Sequence, residues 1–151
     1  MLLDHGADAN RPDPTIGTLP LLAAFTDGDI DCADALRKAG ARVNARDAGG
    51  HTILTSAVGA AARLGDMHVL DVAIQWRIDK NYQADDGYTA LHEAVRIQSV
   101  RVVAALLERG IDPCIKNAIG QTPLAMAINL KRAAAMVDVL ARATHCSDRS
   151  T

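Results

Sequence analysis

The stretch DGYTALHEA, residues 86–94, sets a hydroxyl, an imidazole and a carboxylate close together at Thr89, His92 and Glu93. His92-Glu93 begins like the H-E-x-x-H signature, in which two His residues on successive helical turns face one zinc ion and the Glu serves as base. The place of the second His is taken by Arg96. A permanently charged guanidinium repels a cation, so the metal reading fails at its first requirement. Cys32, Cys114 and Cys146 form no C-x-x-C pair and no Cys/His cluster. A Cys/His nucleophile would need one of them beside His51, His68, His92 or His145. His145-Cys146 lies in a polar tail that fixes no catalytic geometry. No G-x-x-x-x-G-K-[ST] phosphate loop is present. The sequence therefore predicts no catalytic residue, no cofactor and no metal site.

The element that follows Thr89 explains these residues differently. Thr89 precedes the amphipathic run ALHEAV, where its hydroxyl can accept a first-turn N–H, worth about 1 kcal/mol. The same phrase recurs as GQTPLAMA from Gly120, GHTILTSA from Gly50 and, degraded, GTLPLLAA from Gly17. Leu19 to Thr52 and Thr89 to Thr122 are equal intervals (52 − 19 = 33 and 122 − 89 = 33), and Thr52 to Thr89 is longer (89 − 52 = 37). Pro123 suits a first helical position, where its missing N–H costs nothing. In the cleanest unit the pattern predicts a first helix over about 89–97 that buries Ala90, Leu91, Ala94 and Val95. A second, over about 100–109, carries Val102, Val103, Leu106 and Leu107 at i, i+3, i+4 spacing. Gly110 then closes it in a left-handed conformation.

The bulk numbers agree with a helical core. The chain has 151 residues, 49% of them hydrophobic but 3% aromatic, so its core is built from Ala, Leu, Val and Ile. A net charge of −2 gives no electrostatic case for nucleic acid, and no polybasic segment addresses an anionic membrane. The longest apolar run, residues 19–25, is far short of the roughly 20 needed to span a bilayer. The segment MLLDHGADAN holds Asp4 and no basic n-region, unlike a signal peptide. Three widely spaced cysteines fit a reducing compartment better than a disulfide framework. These features predict a cytoplasmic location, with secretion independent of a signal peptide left open.

TALHEA, TPLAMA, LLDHGADAN, LRKAGARVNARD and LLERGIDP recur in order and phase, and together they resemble the ankyrin repeat, a unit of about 33 residues with a T-P-L-H-x-A helix start. The resemblance covers the chain from Leu2 to about Arg142. It implies an all-α ankyrin-repeat solenoid of stacked helix-turn-helix units with projecting turn loops. The repeat domain would run over 1–143, with a partial unit at 1–13, units at about 14–46, 47–83, 84–116 and 117–143, and a polar tail at 144–151. Four extra residues in the second unit, within GAAARLGD (59–66), should lengthen its first helix by one turn, Ala being the best helix former. Arg77 stands where other units have Gly6, Gly40 and Gly110. Leu19 replaces a capping Thr, with Thr18 able to slip into the role. The opening half unit points to upstream repeats, a covering partner or self-association through that end.

The resemblance also implies roles. His92 is the framework His of its helix start, Glu93 a solvated helix residue and Cys32 a small core hydrophobe. Cys114 falls where Asn10 and Asn44 brace neighbouring loops, a position that is an Asn-hydroxylation site in some animal members. Trp76 packs over the inserted turn, near Leu64 or Met67, or anchors a partner. Members grip proteins with their turns and inner-helix flanks. Carried over by position, the partner-binding residues are Arg46, Ala48 and His51; Gln83, Asp85, Asp86 and Tyr88; Lys116, Ala118, Ile119 and Gln121; and Arg96 and Asn129 on the flank. Tyr88 and Ile119 would form a small apolar centre within a charged rim. The expected function is a non-enzymatic protein–protein interaction module for an unidentified protein partner. The alternative is a structural or regulatory segment of a larger protein.

Overall fold

The computed structural model describes residues 8–144, and the Leu2–Ala7 part of the opening half unit and the tail from His145 lie outside it. Among the described residues the regular structure is eight α-helices and no strand, joined by turns, in two compact units divided between Asp79 and Lys80.

The first unit holds α1 (Pro20–Asp27), α2 (Ile30–Lys38), α3 (Ile53–Leu64) and α4 (His68–Gln75). Helices pair as hairpins, and α1 packs on both α2 and α3 while α3 packs on α4. The shared core is aliphatic, with Leu21, Leu22, Ile53, Leu54, Val58 and Leu70 all buried, together with one aromatic ring, Phe25. Each such side chain contributes about 1.5–3 kcal/mol when fully buried. Trp76 meets this core edge-on, its ring 5.2 Å from that of Phe25, and the guanidinium of Arg37 lies over it at 5.1 Å. This ring and this cation are two of the groups it packs against.

The second unit repeats the plan with α5 (Ala90–Arg96), α6 (Val100–Glu108), α7 (Pro123–Asn129) and α8 (Ala134–Ala143). Here α5 packs on α6 and α7, and α8 on α6 and α7. Ala90, Leu91, Ala94, Val95, Val102, Val103 and Leu106 are buried as their spacing predicts, while Leu107 is half-exposed.

Helix starts follow the repeated Thr. Thr52 accepts an N–H from Thr55 at 3.3 Å and Thr122 one from Ala125 at 3.2 Å. Thr18 does not take over at α1: the cap is Leu19, without a side-chain bond, and Pro20 starts the helix. The turn inside each hairpin passes through the left-handed region at Gly28, Gly65, Gln98 and Lys131. The intervals between these positions (65 − 28 = 37, 98 − 65 = 33 and 131 − 98 = 33) show the same single long step as the helix starts. The second helices end likewise at Gly40, Arg77 and Gly110, with Arg77 at φ 55°. A side chain in this region costs roughly 1–2 kcal/mol.

The extra residues fall where Ala-rich sequence predicts. The interval from Gly50 to Gly65 (65 − 50 = 15) exceeds that from Gly87 to Gln98 in the next repeat (98 − 87 = 11). Correspondingly, α3 is 12 residues long where α5 has 7. The added turn lies over the end of α1: Arg63 donates to Thr26 O at 2.6 Å, and Leu64 Cδ1 approaches Gly28 so closely that a Cβ there would sit 2.6 Å from it. In the middle of α3, a Cβ added at Gly59 would meet nothing within 4 Å. Glycine inside a helix is less stable than Ala by about 0.5–1 kcal/mol. Gly59→Ala should therefore raise the unfolding free energy by about that much in a urea titration; a loss of stability would contradict this account of α3.

Candidate functional site

The second unit shows how the sequence positions its turns. His92 is completely buried, the third residue of α5. Its Nδ1 accepts the Thr89 N–H at 3.2 Å and lies 3.0 Å from the Thr89 hydroxyl, while Nε2 lies 3.0 Å from Gln121 O. A backbone N–H can only donate and a carbonyl only accept, so the neutral tautomer with hydrogen on Nε2 satisfies both ends. One imidazole thus closes the start of α5 and ties it to the turn before α7. The catalytic reading of this residue has no room: both nitrogens are engaged in structure.

The turn before α5 is held against the next turn by backbone as well. Ala118 N–H donates to Asp86 O at 3.0 Å. Gly87, at φ 76°, lies so close that a Cβ would sit 2.4 Å from Ala118 N and 2.8 Å from Asn117 C. Only glycine allows this approach. Asn117 is buried, and its Oδ1 accepts from Ile119 N at 3.2 Å and Gln121 N at 2.9 Å, shaping the tip. Gln83 is exposed and donates to Gly87 O at 2.9 Å and Lys116 O at 2.8 Å, so its amide braces two turns. Asp86 Oδ1 accepts the Tyr88 N–H at 2.9 Å, and the Tyr88 ring stacks on His92 at 5.3 Å, half-buried.

Ile119 is 73% exposed on its pinned tip. Asp85, Lys116, Ala118 and Asn129 are exposed and Gln121 is half-buried. Arg96 on the inner-helix flank is clamped by Glu93 through two bonds, one of them from Nε at 2.7 Å, so Glu93 is an ion-pair partner rather than a free solvated residue. That clamp and the field of Asp86 push the Arg96 pKa up.

In the first unit, Asp47 shapes the turn carrying Arg46, Ala48 and His51. Its carboxylate accepts from Gly49 N and His51 N, both at 2.9 Å, and lies 3.0 Å from His51 Nδ1. His51 is exposed but tethered, and Arg46 and Ala48 are exposed. A groove of about 520 Å³ beside α1, lined by Arg11, Pro12, Asp13, Ile16 and Thr18, gathers no cluster of chemical groups and none of the predicted contact residues.

The loop braces are more regular than the sequence suggests. Asn10 donates to Gly40 O at 3.0 Å and accepts from Arg42 N at 2.8 Å, and Asn44 accepts from Asp79 N at 3.4 Å. Asn81, which sequence reasoning missed, accepts from Asp112 N at 3.0 Å. Its signal was register: it precedes Cys114 by one repeat period (114 − 81 = 33). Cys114 itself is disulfide-bonded, which corrects the expectation of uniformly reduced cysteines. Cys32 is a free, half-exposed thiol rather than a core residue, and desolvation together with Asp29 and Asp27 raises its pKa. Among the described residues no His/Cys/Asp/Glu group has the geometry to hold a metal ion, and no helix is long and apolar enough to cross a membrane.

Burial lowers the His92 pKa below the ordinary value, opposed in part by its bond to Gln121 and by Asp86. The unfolded chain titrates near the usual 6.5, so below that pH the unfolded state binds the extra proton. The stability His92 provides is thus complete above about pH 6.5 and lost as pH falls through the window beneath it. The urea midpoint should drop between about pH 7.5 and 5.5. In His92→Gln, less stable at the higher pH, most of that drop should vanish; an unchanged slope would refute the assignment.

The molecule now bears comparison with known proteins. A family model described as ankyrin repeats, in three copies, matches residues 58–149. The chain is 30% identical over 124 residues to SH3 and multiple ankyrin repeat domains protein 2 of Homo sapiens, covering 82% of this chain and 5% of that protein. It is 33% identical over 128 residues to the mitochondrial disaggregase of Bos taurus, covering 82% of this chain and 18% of that protein. A putative ankyrin repeat-containing protein of Treponema pallidum is 32% identical over 111 residues, covering 73% and 36% respectively. The chain thus spans about a third or less of the length of these relatives.

Proposed function

The chain belongs to the ankyrin-repeat family, whose members are generally protein–protein interaction modules, and from that premise we propose that it is a non-enzymatic binder of a protein partner. The grip lies on the turn tips and the exposed flank of the inner helices: Tyr88, Lys116, Ile119 and Asn129 on the second unit, with Asp85 and Asp86 as an acidic rim. Arg46, Ala48 and His51 offer the corresponding surface on the first. Gln83 and Gln121 serve by holding the tips in shape.

One observation supports this most. Ile119 is 73% exposed on a tip that Asn117 and the Ala118–Asp86 bond hold in place. An aliphatic side chain exposed in that way does nothing for the fold. With the backbone of its tip held in advance, the turn gives up little conformational freedom on binding, and such preorganisation favours affinity. Tyr88, stacked on His92, adds a flat, partly apolar ring on the adjoining turn, of the kind enriched at binding hot spots.

Immobilised wild-type chain and a Tyr88→Ala/Ile119→Asp variant test the reading by affinity capture, with circular dichroism to confirm that the variant folds. A partner held by the wild type should be retained at least about tenfold less by the variant. Equal retention of every captured protein by the folded variant would refute the proposed face.

A further inference from the structure

Three core positions change character in the last helix pair. One position on the first helix of each pair is Leu21, Leu54, Leu91 and Leu124 in successive repeats, and the next turn carries Phe25, Val58, Val95 and Ile128 in register. On the second helix the corresponding series is Leu36, Ala73, Leu106 and Val139. In the first three pairs all nine of these side chains are buried. In α7 and α8, Leu124 and Val139 are only half-buried and Ile128 is 55% exposed. The residues are as apolar as their counterparts, so the repeat keeps a core-forming face here that no neighbour among the described residues covers. α5 and α6 show what such a cover is: α7 packs on α5 and α8 on α6. The outer face of α7 and α8 continues that contact surface by one repeat. A stacked pair that faces water is ordinarily polar on that side.

The first helix pair is uncovered on the opposite side. Pro20 is half-buried where the residues in register with it, Ile53, Ala90 and Pro123, are buried. With Pro12, Pro14, Ile16 and Ala23 it lines the groove of about 520 Å³ beside α1. Prolines hold that wall stiff, since each has one backbone dihedral fixed by its ring. One chain thus presents both halves of a repeat-to-repeat joint, an aliphatic face at α7 and α8 and an apolar groove at α1. Net charge decides how two copies would meet. Residues 123–143 hold three basic side chains and one acidic, a net +2, whereas residues 20–38 hold four acidic and two basic, a net −2. Joining like faces would set equal charges together, and joining unlike faces sets opposite ones together.

We infer that the outer face of α7 and α8 binds the α1 side of a second copy of this chain, head to tail. Leu124, Ile128 and Val139 are then covered as Leu91, Val95 and Leu106 are covered within the chain. Because the joint uses a different surface on each copy, it leaves one half free at either end and extends beyond a dimer. It engages none of the residues assigned to the partner face, and its failure leaves that face untouched.

Analytical ultracentrifugation of the full chain from about 1 μM to about 1 mM measures the association directly. The mean mass should climb from 15.9 kDa past twice that value as concentration rises. Two variants then block one half of the joint each: Ile128→Asp on the face, and Ala23→Arg at the groove, a position that holds the longer Glu93 in the third repeat. Each variant alone, its fold checked by circular dichroism, should remain at 15.9 kDa. Their equimolar mixture should form a dimer and stop there, since each supplies the one intact half that the other lacks. The wild-type series needs no variant and decides by itself if either fails to fold. A wild type that stays monomeric throughout, or stops at a dimer, would overturn the proposal. So would growth that neither substitution reduces, dimers of Ala23→Arg alone, or a folded mixture that does not associate.

Discussion

The second unit depends on a buried imidazole that stays neutral. The His92 side chain is closed off from the surface, so its two nitrogens must find partners in the protein or leave unpaired polar atoms, each costing about 1–3 kcal/mol. They find the Thr89 N–H on one side and Gln121 O on the other. Protonation would turn the acceptor nitrogen into a donor facing another donor. The same ring therefore ends one turn, starts α5 and fixes the turn before α7, and Tyr88 is placed by stacking on it.

Around that ring the unit builds a rigid edge from weak parts. Gly87 contributes by lacking a side chain, Asn117 by accepting two tip amides, and Gln83 by bridging two carbonyls. Each bond adds on the order of 1 kcal/mol. The first unit reaches a similar result with different residues. Thr55 stands in the place of the ring and forms a reciprocal cap with Thr52, while Asp47 collects the turn amides and His51. The repeat conserves a geometry, and the side chains that satisfy it vary. Surface chemistry is thus free to differ from one repeat to the next, as the change from Asp27-Gly28-Asp29 to Leu130-Lys131-Arg132 illustrates.

Much of this was legible in the sequence because it follows from period. Thr52, Thr89 and Thr122 marked helix starts, aliphatic spacing marked the buried faces, and the longer interval from Thr52 to Thr89 located the longer α3. Arg77 was readable as a left-handed residue from the glycines in register with it. What escaped were interactions that join positions a repeat apart. Gln83, exposed as expected, also has a bracing role that nothing local shows, its amide reaching Lys116 O. Trp76 was read from its neighbourhood alone, as packing on the inserted turn or anchoring a partner, and the contact of its ring with Phe25, more than one repeat earlier in the chain, was not foreseen. Leu19 shows the opposite limit: a neighbouring Thr18 offered a cap that the backbone did not use.

The claim on which the account turns is the charge state and tautomer of one ring. Long-range proton–nitrogen correlation of the imidazoles, followed by NMR in the folded chain, reports both at His92. The expected result is a nitrogen pair with hydrogen on Nε2 alone, persisting as the pH is lowered through about 6.5, where an ordinary imidazole becomes charged. An imidazolium already formed near that pH, or a ring carrying its hydrogen on Nδ1, would contradict the account.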